Sequence, residues 1–131
     1  MGDTTVLHAQ PRSVLFVDDD PDMRTMYGGR LRADGFEVRF AADGLAALDA
    51  ATEALDLVLL DVRMPGMDGL EVLRRLKGDA GMAGVPVVML SNEREEKAAR
   101  RAQAMGAVAW WTKLDVLPAE LSRRVGVLLG R

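Results

Sequence analysis

The chain has no cysteine, only one histidine, and no apolar run that approaches a membrane span. Without cysteine there are no disulfides and no thiolate metal sites, which fits a reducing, cytoplasmic setting. A span needs about 18 consecutive apolar residues, so no membrane segment is expected. Residues 1–12 lack a basic segment followed by an apolar stretch, so no signal peptide is expected either. A strong charge of one sign is also missing: 17 Lys and Arg stand against 20 Asp and Glu, a formal net charge of −3. The pairs Arg74-Arg75, Arg100-Arg101 and Arg123-Arg124 each fall in an amphipathic segment. They read as solvated helix faces, and no direct contact with nucleic acid is expected. His8 lies in a polar N-terminal stretch and reads as a bystander rather than a ligand. Repeats, low-complexity tracts and linkers are absent too, and 131 residues suit one domain with a real core.

What the chain does have is alternation. After a tail over residues 1–12, apolar runs predict strands at 13–18, 36–41, 56–60, 85–90 and 107–112. Amphipathic segments between them predict helices at 21–34, 44–54, 68–77, 94–105 and 118–129. The runs are nearly unbroken, as expected where helices cover both faces of a parallel sheet. Five βα units over residues 13–131 predict a doubly wound α/β fold. Asp20-Pro21 offers an N-cap followed by proline at the first helical position, and Gly35 and Gly106 suit helix ends. Gly28-Gly29 is a conflict, because a glycine inside a helix costs about 1 kcal/mol relative to alanine. Either that helix packs tightly against a neighbour or it is locally weak. The last predicted helix runs nearly to Arg131, which leaves no room for an output domain within this chain.

Four of the apolar runs end on polar residues: Asp18-Asp19, Asp61, Ser91 and Lys113. In a parallel sheet these ends open on one edge, and their side chains converge in one crevice. Carboxylates gathered there are expensive, since two unit charges 5 Å apart repel by roughly 3 kcal/mol at an effective dielectric constant of about 20. A bound cation or a nearby ammonium relieves that cost. All-oxygen ligands suit Mg²⁺ or Mn²⁺, and a hydroxyl with an ammonium suits a phosphoryl group. Taken alone, Asp18-Asp19-Asp20 would read as a helix-capping turn; Asp61 and Lys113 at other strand ends favour the functional reading.

The most specific stretch is Leu59-Leu60-Asp61-Val62-Arg63-Met64-Pro65-Gly66-Met67-Asp68-Gly69, in which an aspartate ends a strand and Pro-Gly and Asp-Gly turn the chain away. With Val17-Asp18-Asp19-Asp20-Pro21, Ser91 and Lys113, it closely resembles the receiver domains of bacterial two-component response regulators over about residues 13–129. The resemblance implies a flavodoxin-like, five-stranded parallel sheet of order 2-1-3-4-5 with five helices. It makes Asp61 the acceptor of a phosphoryl group from the phosphohistidine of a histidine kinase or phosphotransfer protein. It further implies Mg²⁺ (or Mn²⁺) held by Asp19, Asp61 and the backbone carbonyl of Arg63, with Asp18 acting largely through a metal-bound water. Ser91 would donate to one phosphoryl oxygen and Lys113 would neutralise another. Such a protein catalyses only its own phosphorylation and dephosphorylation, and signals through protein contacts as a monomer or a phosphorylation-dependent dimer.

The resemblance also casts Ser91 as a switch, with Trp110 as the aromatic residue that turns inward behind it. Neighbouring strand residues face opposite sides, so Trp111 is expected to pack in the core instead. Arg63 and Glu93 stand two residues beyond Asp61 and Ser91, and are expected to pair as a charged lid that prolongs the phosphoryl lifetime. Three features depart from the pattern. Asn92 replaces a small residue, Leu114 replaces the usual proline after the lysine, and Asp115-Val116-Leu117 lengthens the connection to Pro118.

Three other readings compete. A receiver-like interaction module without phosphorylation would have little use for Asp18, Asp19, Asp61, Ser91 and Lys113 together. A Mg²⁺-dependent phosphatase with an aspartyl-phosphate intermediate needs a second acid two residues past its nucleophile. Arg63 fills that position after Asp61, although Asp18-Asp19-Asp20 does offer the spacing. A flavin carrier would need a phosphate cradle, and the first βα turn is acidic.

Overall fold

The computed structural model describes residues 11–130; His8 and nearly all of the expected tail lie outside them. Strand β1 (Ser13–Val17) leads into helix α1, which runs as Pro21–Met23, a π-helical segment Arg24–Gly28, and Gly29–Ala33. There follow β2 (Glu37–Ala41), α2 (Gly44–Ala50), β3 (Leu57–Asp61), α3 (Gly69–Gly78), β4 (Val87–Ser91) and α4 (Glu96–Ala104). The chain closes with β5 (Ala109–Thr112), a 3₁₀ turn (Lys113–Asp115) and α5 (Pro118–Leu128). All pairings are parallel, in the order β2-β1-β3-β4-β5. This is the flavodoxin-like doubly wound sheet with five helices.

The alternation of side chains along each strand divides the core in two. Leu15, Val17, Val58, Leu60, Val87 and Met89 face α2, α3 and α4, where they meet Ala47, Val72, Leu73, Leu76 and Ala102. Val14, Phe16, Leu57, Leu59, Val88 and Leu90 face α1 and α5, where they meet Tyr27, Leu31, Leu121 and Val125. Both faces are covered, so the central strands need no polar side and read as unbroken apolar runs. The edge strand β2 differs, with Glu37 and Arg39 exposed. Among the described residues no helix is long and apolar enough to cross a membrane.

The two glycines of α1 part company. A Cβ at Gly28 would run into the Phe40 ring, whereas one at Gly29 would meet open space. Close packing against β2 therefore accounts for Gly28, and the structure shows no such need at Gly29. Gly35 and Gly106 have φ of 95° and 107°, the left-handed conformation expected past a helix end. Helix α2 stops at Ala50, four residues short of the expected 54. Beyond it the chain turns so that Leu55 is buried and the Asp56 carboxylate accepts the Ser13 N–H at 2.7 Å. Tying down the start of β1 outweighs one more turn of helix.

Candidate functional site

Asp61 is the last residue of β3, and its side chain is only 5% exposed. The loop after it folds straight back: Gly69 N–H donates to the Val62 carbonyl at 2.8 Å, and a Cβ at position 69 would collide with the Asp61 carbonyl. Glycine is what lets α3 begin directly on the strand end, with Asp68 capping it by accepting from Glu71 N–H at 3.0 Å.

Asp18 follows β1, is buried, and accepts the Asp20 N–H at 3.0 Å through Oδ1. The Arg24 guanidinium donates to the Asp18 carbonyl at 2.7 Å, which fixes the turn from inside α1. Asp20 caps α1 by accepting from Asp22 N–H at 2.9 Å. The acidic run thus splits its labour: Asp20 caps, while Asp18 and the exposed Asp19 present carboxylates to the crevice, where their oxygens and one of Asp61 lie within 4.8 Å of one another.

Lys113 comes from the other side of the sheet edge, just past β5. Its Nζ sits 2.7 Å from Asp18 Oδ2 and 3.4 Å from Asp61 Oδ1, with 8% of the side chain exposed. One ammonium serves two buried carboxylates, and the balance is incomplete. Burial, then the charge of Asp18, pushes the Asp61 carboxyl up to about 6, against the pull of Lys113. Burial alone would lower the Lys113 pKa, but the hydrogen bond to Asp18 and the charges of Asp61 and Asp18 outweigh it and hold the ammonium above its ordinary value.

Ser91 ends β4, paired with Thr112 of β5, and is buried. Its Oγ accepts the Glu93 N–H at 3.1 Å and faces Glu95 Oε2 at 3.4 Å. Here the expected Arg63–Glu93 pairing is corrected: the Arg63 guanidinium bonds Glu95, not Glu93. The tight turn made by Ser91 and the Glu93 N–H leaves the Glu93 side chain exposed, and brings the carboxylate two residues later back over the serine.

The two tryptophans lie on opposite faces, as a strand requires. Trp110 packs with the α2–α4 core, and its buried Nε1 has no hydrogen-bond partner among the described residues. It shares the lining of a cavity of about 340 Å³ with Glu95. Trp111 packs with the α1–α5 core under the Arg124 guanidinium, 5.5 Å from the ring centroid.

Besides Glu95, sequence reasoning missed Tyr27. No peptide bond among the described residues is cis, and Leu114 is 84% exposed, so the residue after Lys113 does not anchor it. The buried Tyr27 hydroxyl does: it donates to the Val116 carbonyl at 2.7 Å and lies 3.5 Å from the Lys113 carbonyl. Burial raises the Tyr27 pKa, with Lys113 acting against that and Asp18 with it. The available signal was a single tyrosine in an amphipathic helix, because a buried phenol needs a partner for its hydroxyl.

The family model for the response regulator receiver domain matches residues 14–124. The DNA-binding response regulator MtrA of Mycolicibacterium smegmatis is 47% identical over 79 residues, covering 60% of this chain and 33% of that protein. The alkaline phosphatase synthesis transcriptional regulatory protein PhoP of Bacillus subtilis is 36% identical over 121 residues, covering 92% of this chain and 49% of that protein. The chain therefore spans between a third and a half of these relatives. The structure of the chemotaxis protein CheY4 of Vibrio cholerae superimposes with a TM-score of 0.80 at 30% identity, covering 90% of this chain and 98% of that one.

Proposed function

The chain belongs to the response regulator receiver domain family, and on that premise we propose that it accepts a phosphoryl group on Asp61 from the phosphohistidine of a histidine kinase or phosphotransfer protein. The observation that carries this reading is the Lys113 ammonium set between the buried carboxylates of Asp18 and Asp61. An ionised Asp61 is already a nucleophile and needs no general base. One of its oxygens forms the new P–O bond while the P–N bond of the donor breaks, and that electron pair leaves on the imidazole nitrogen. Catalysis is then a matter of placement and charge. Lys113 neutralises one phosphoryl oxygen and Ser91 donates to another.

The donor set fits a hard divalent cation: three carboxylates converge within 4.8 Å, all ligand atoms are oxygen, and one ammonium is too little to balance them. Asp18, Asp19 and Asp61, with the Arg63 backbone carbonyl, would hold Mg²⁺ or Mn²⁺. When bound, the ion supplies further neutralisation of the phosphoryl oxygens. Trp110, with its buried and unpartnered Nε1, is the aromatic side chain that answers the movement of Ser91. The chain then acts in the cytoplasm by changing its surface for a protein target, and turns over nothing but its own phosphoryl group.

Incubation with Mg²⁺ and acetyl phosphate, followed by intact mass measurement, tests the reading. The wild-type chain is expected to gain the mass of one phosphoryl group and Asp61→Asn to gain none. A wild type that gains nothing, or an Asp61→Asn variant that gains as much, contradicts it.

A further inference from the structure

Ser91 has a single hydroxyl proton. Its Oγ accepts the Glu93 N–H at 3.1 Å, which leaves that proton directed to Glu95 Oε2 at 3.4 Å. The other Glu95 oxygen takes the Arg63 guanidinium. Glu95 also stands at the N-cap of α4, and its side chain makes no capping hydrogen bond to the first turn. It is turned away from its own helix and committed to Ser91 and Arg63. The clasp is light, because Arg63 is 68% exposed and Glu95 21%.

We propose that Glu95 is the positioning residue for Ser91 in the unphosphorylated chain, holding the one proton that Ser91 would offer to a phosphoryl oxygen. The inference rests on Asp61 as the acceptor and deepens that reading. A hydroxyl with one proton serves Glu95 or the phosphoryl group, not both. An anion on Asp61 attracts the Ser91 proton and the Arg63 guanidinium while repelling the Glu95 carboxylate. Because Glu95 stands at the N-cap of α4, its release ties the phosphoryl site to the start of that helix.

The experiment is calorimetric titration of the Mg²⁺-loaded chain with beryllium fluoride, a stable phosphoryl mimic, in a double-mutant cycle. Glu95→Ala is expected to bind the mimic about fivefold more tightly than wild type, the equivalent of roughly 1 kcal/mol. In a Ser91→Ala background the same substitution is expected to gain less than about twofold, because there is no proton left to compete for. If alanine loosens α4, Glu95→Met keeps the side-chain length without an oxygen to accept the Ser91 proton and carries the same cycle. An equal gain in both backgrounds would mean that only bare charge is at work, and overturns the proposal. So does the absence of any gain with Ser91 present. A wild type that does not bind the mimic at all removes the phosphoacceptor reading and this inference with it, whereas wild-type binding without the Glu95 gain removes the inference alone.

Discussion

Lys113 satisfies two buried carboxylates with one charge, and its removal exposes what the site costs. Breaking a buried pair by deleting one partner typically destabilises by 3–5 kcal/mol, because the charges left behind stay desolvated. Lys113→Ala is accordingly expected to lose about 3 kcal/mol in urea denaturation without divalent cations, and Mg²⁺ is expected to stabilise this variant more than it stabilises the parent. Asp61 itself makes stability depend on pH. Its carboxyl is pushed up to about 6, whereas an unfolded aspartate titrates near 4. Between those values the native state holds a proton that the unfolded state has lost, so metal-free stability falls as pH rises through this window and levels off above it. Metal-free Asp61→Asn, which has nothing to titrate there, is expected to gain on the parent by up to roughly 3 kcal/mol between pH 4 and pH 6. Denaturation of both chains across that range checks it. Asp61, Ser91 and Lys113 were legible because each closes an apolar run. Glu95 was not, since its role depends on a turn held by the Ser91 hydroxyl, and spacing alone pointed to Glu93.

Helix α1 is the element on which the site leans most. Asp20-Pro21 starts it, Arg24 grips the Asp18 carbonyl, and Tyr27 reaches across to the turn that carries Lys113. Its π-helical segment, Arg24–Gly28, contains that tyrosine and the glycine that Phe40 presses on. Tyr27→Phe leaves the Val116 carbonyl without its 2.7 Å donor and is expected to cost about 1–2 kcal/mol in thermal or urea unfolding. Phosphorylation from acetyl phosphate should slow as well, because the turn holding Lys113 loses its tether. The five strands and the starts of the helices were readable from apolar runs, proline and capping residues. The π segment and the early end of α2 were not; the latter answers to Ser13, a partner remote in sequence.

At the scale of the whole molecule, the strand order makes a site out of four separate turns. Placing β1 beside β3 puts Asp18 next to Asp61, and adding β4 and β5 beyond them brings Ser91 and Lys113 to the same edge. Alternating runs were enough to expect a doubly wound sheet, but the order β2-β1-β3-β4-β5 came from family resemblance, because nothing within a strand names its neighbour. On the proposed reading, this edge exists to load a phosphoryl group on Asp61. The most direct test treats the chain with Mg²⁺ and acetyl phosphate, reduces the acyl phosphate with borohydride, and maps the product by peptide mass. Homoserine at position 61 is the predicted result; a reduction product at any other position, or none, would contradict the account.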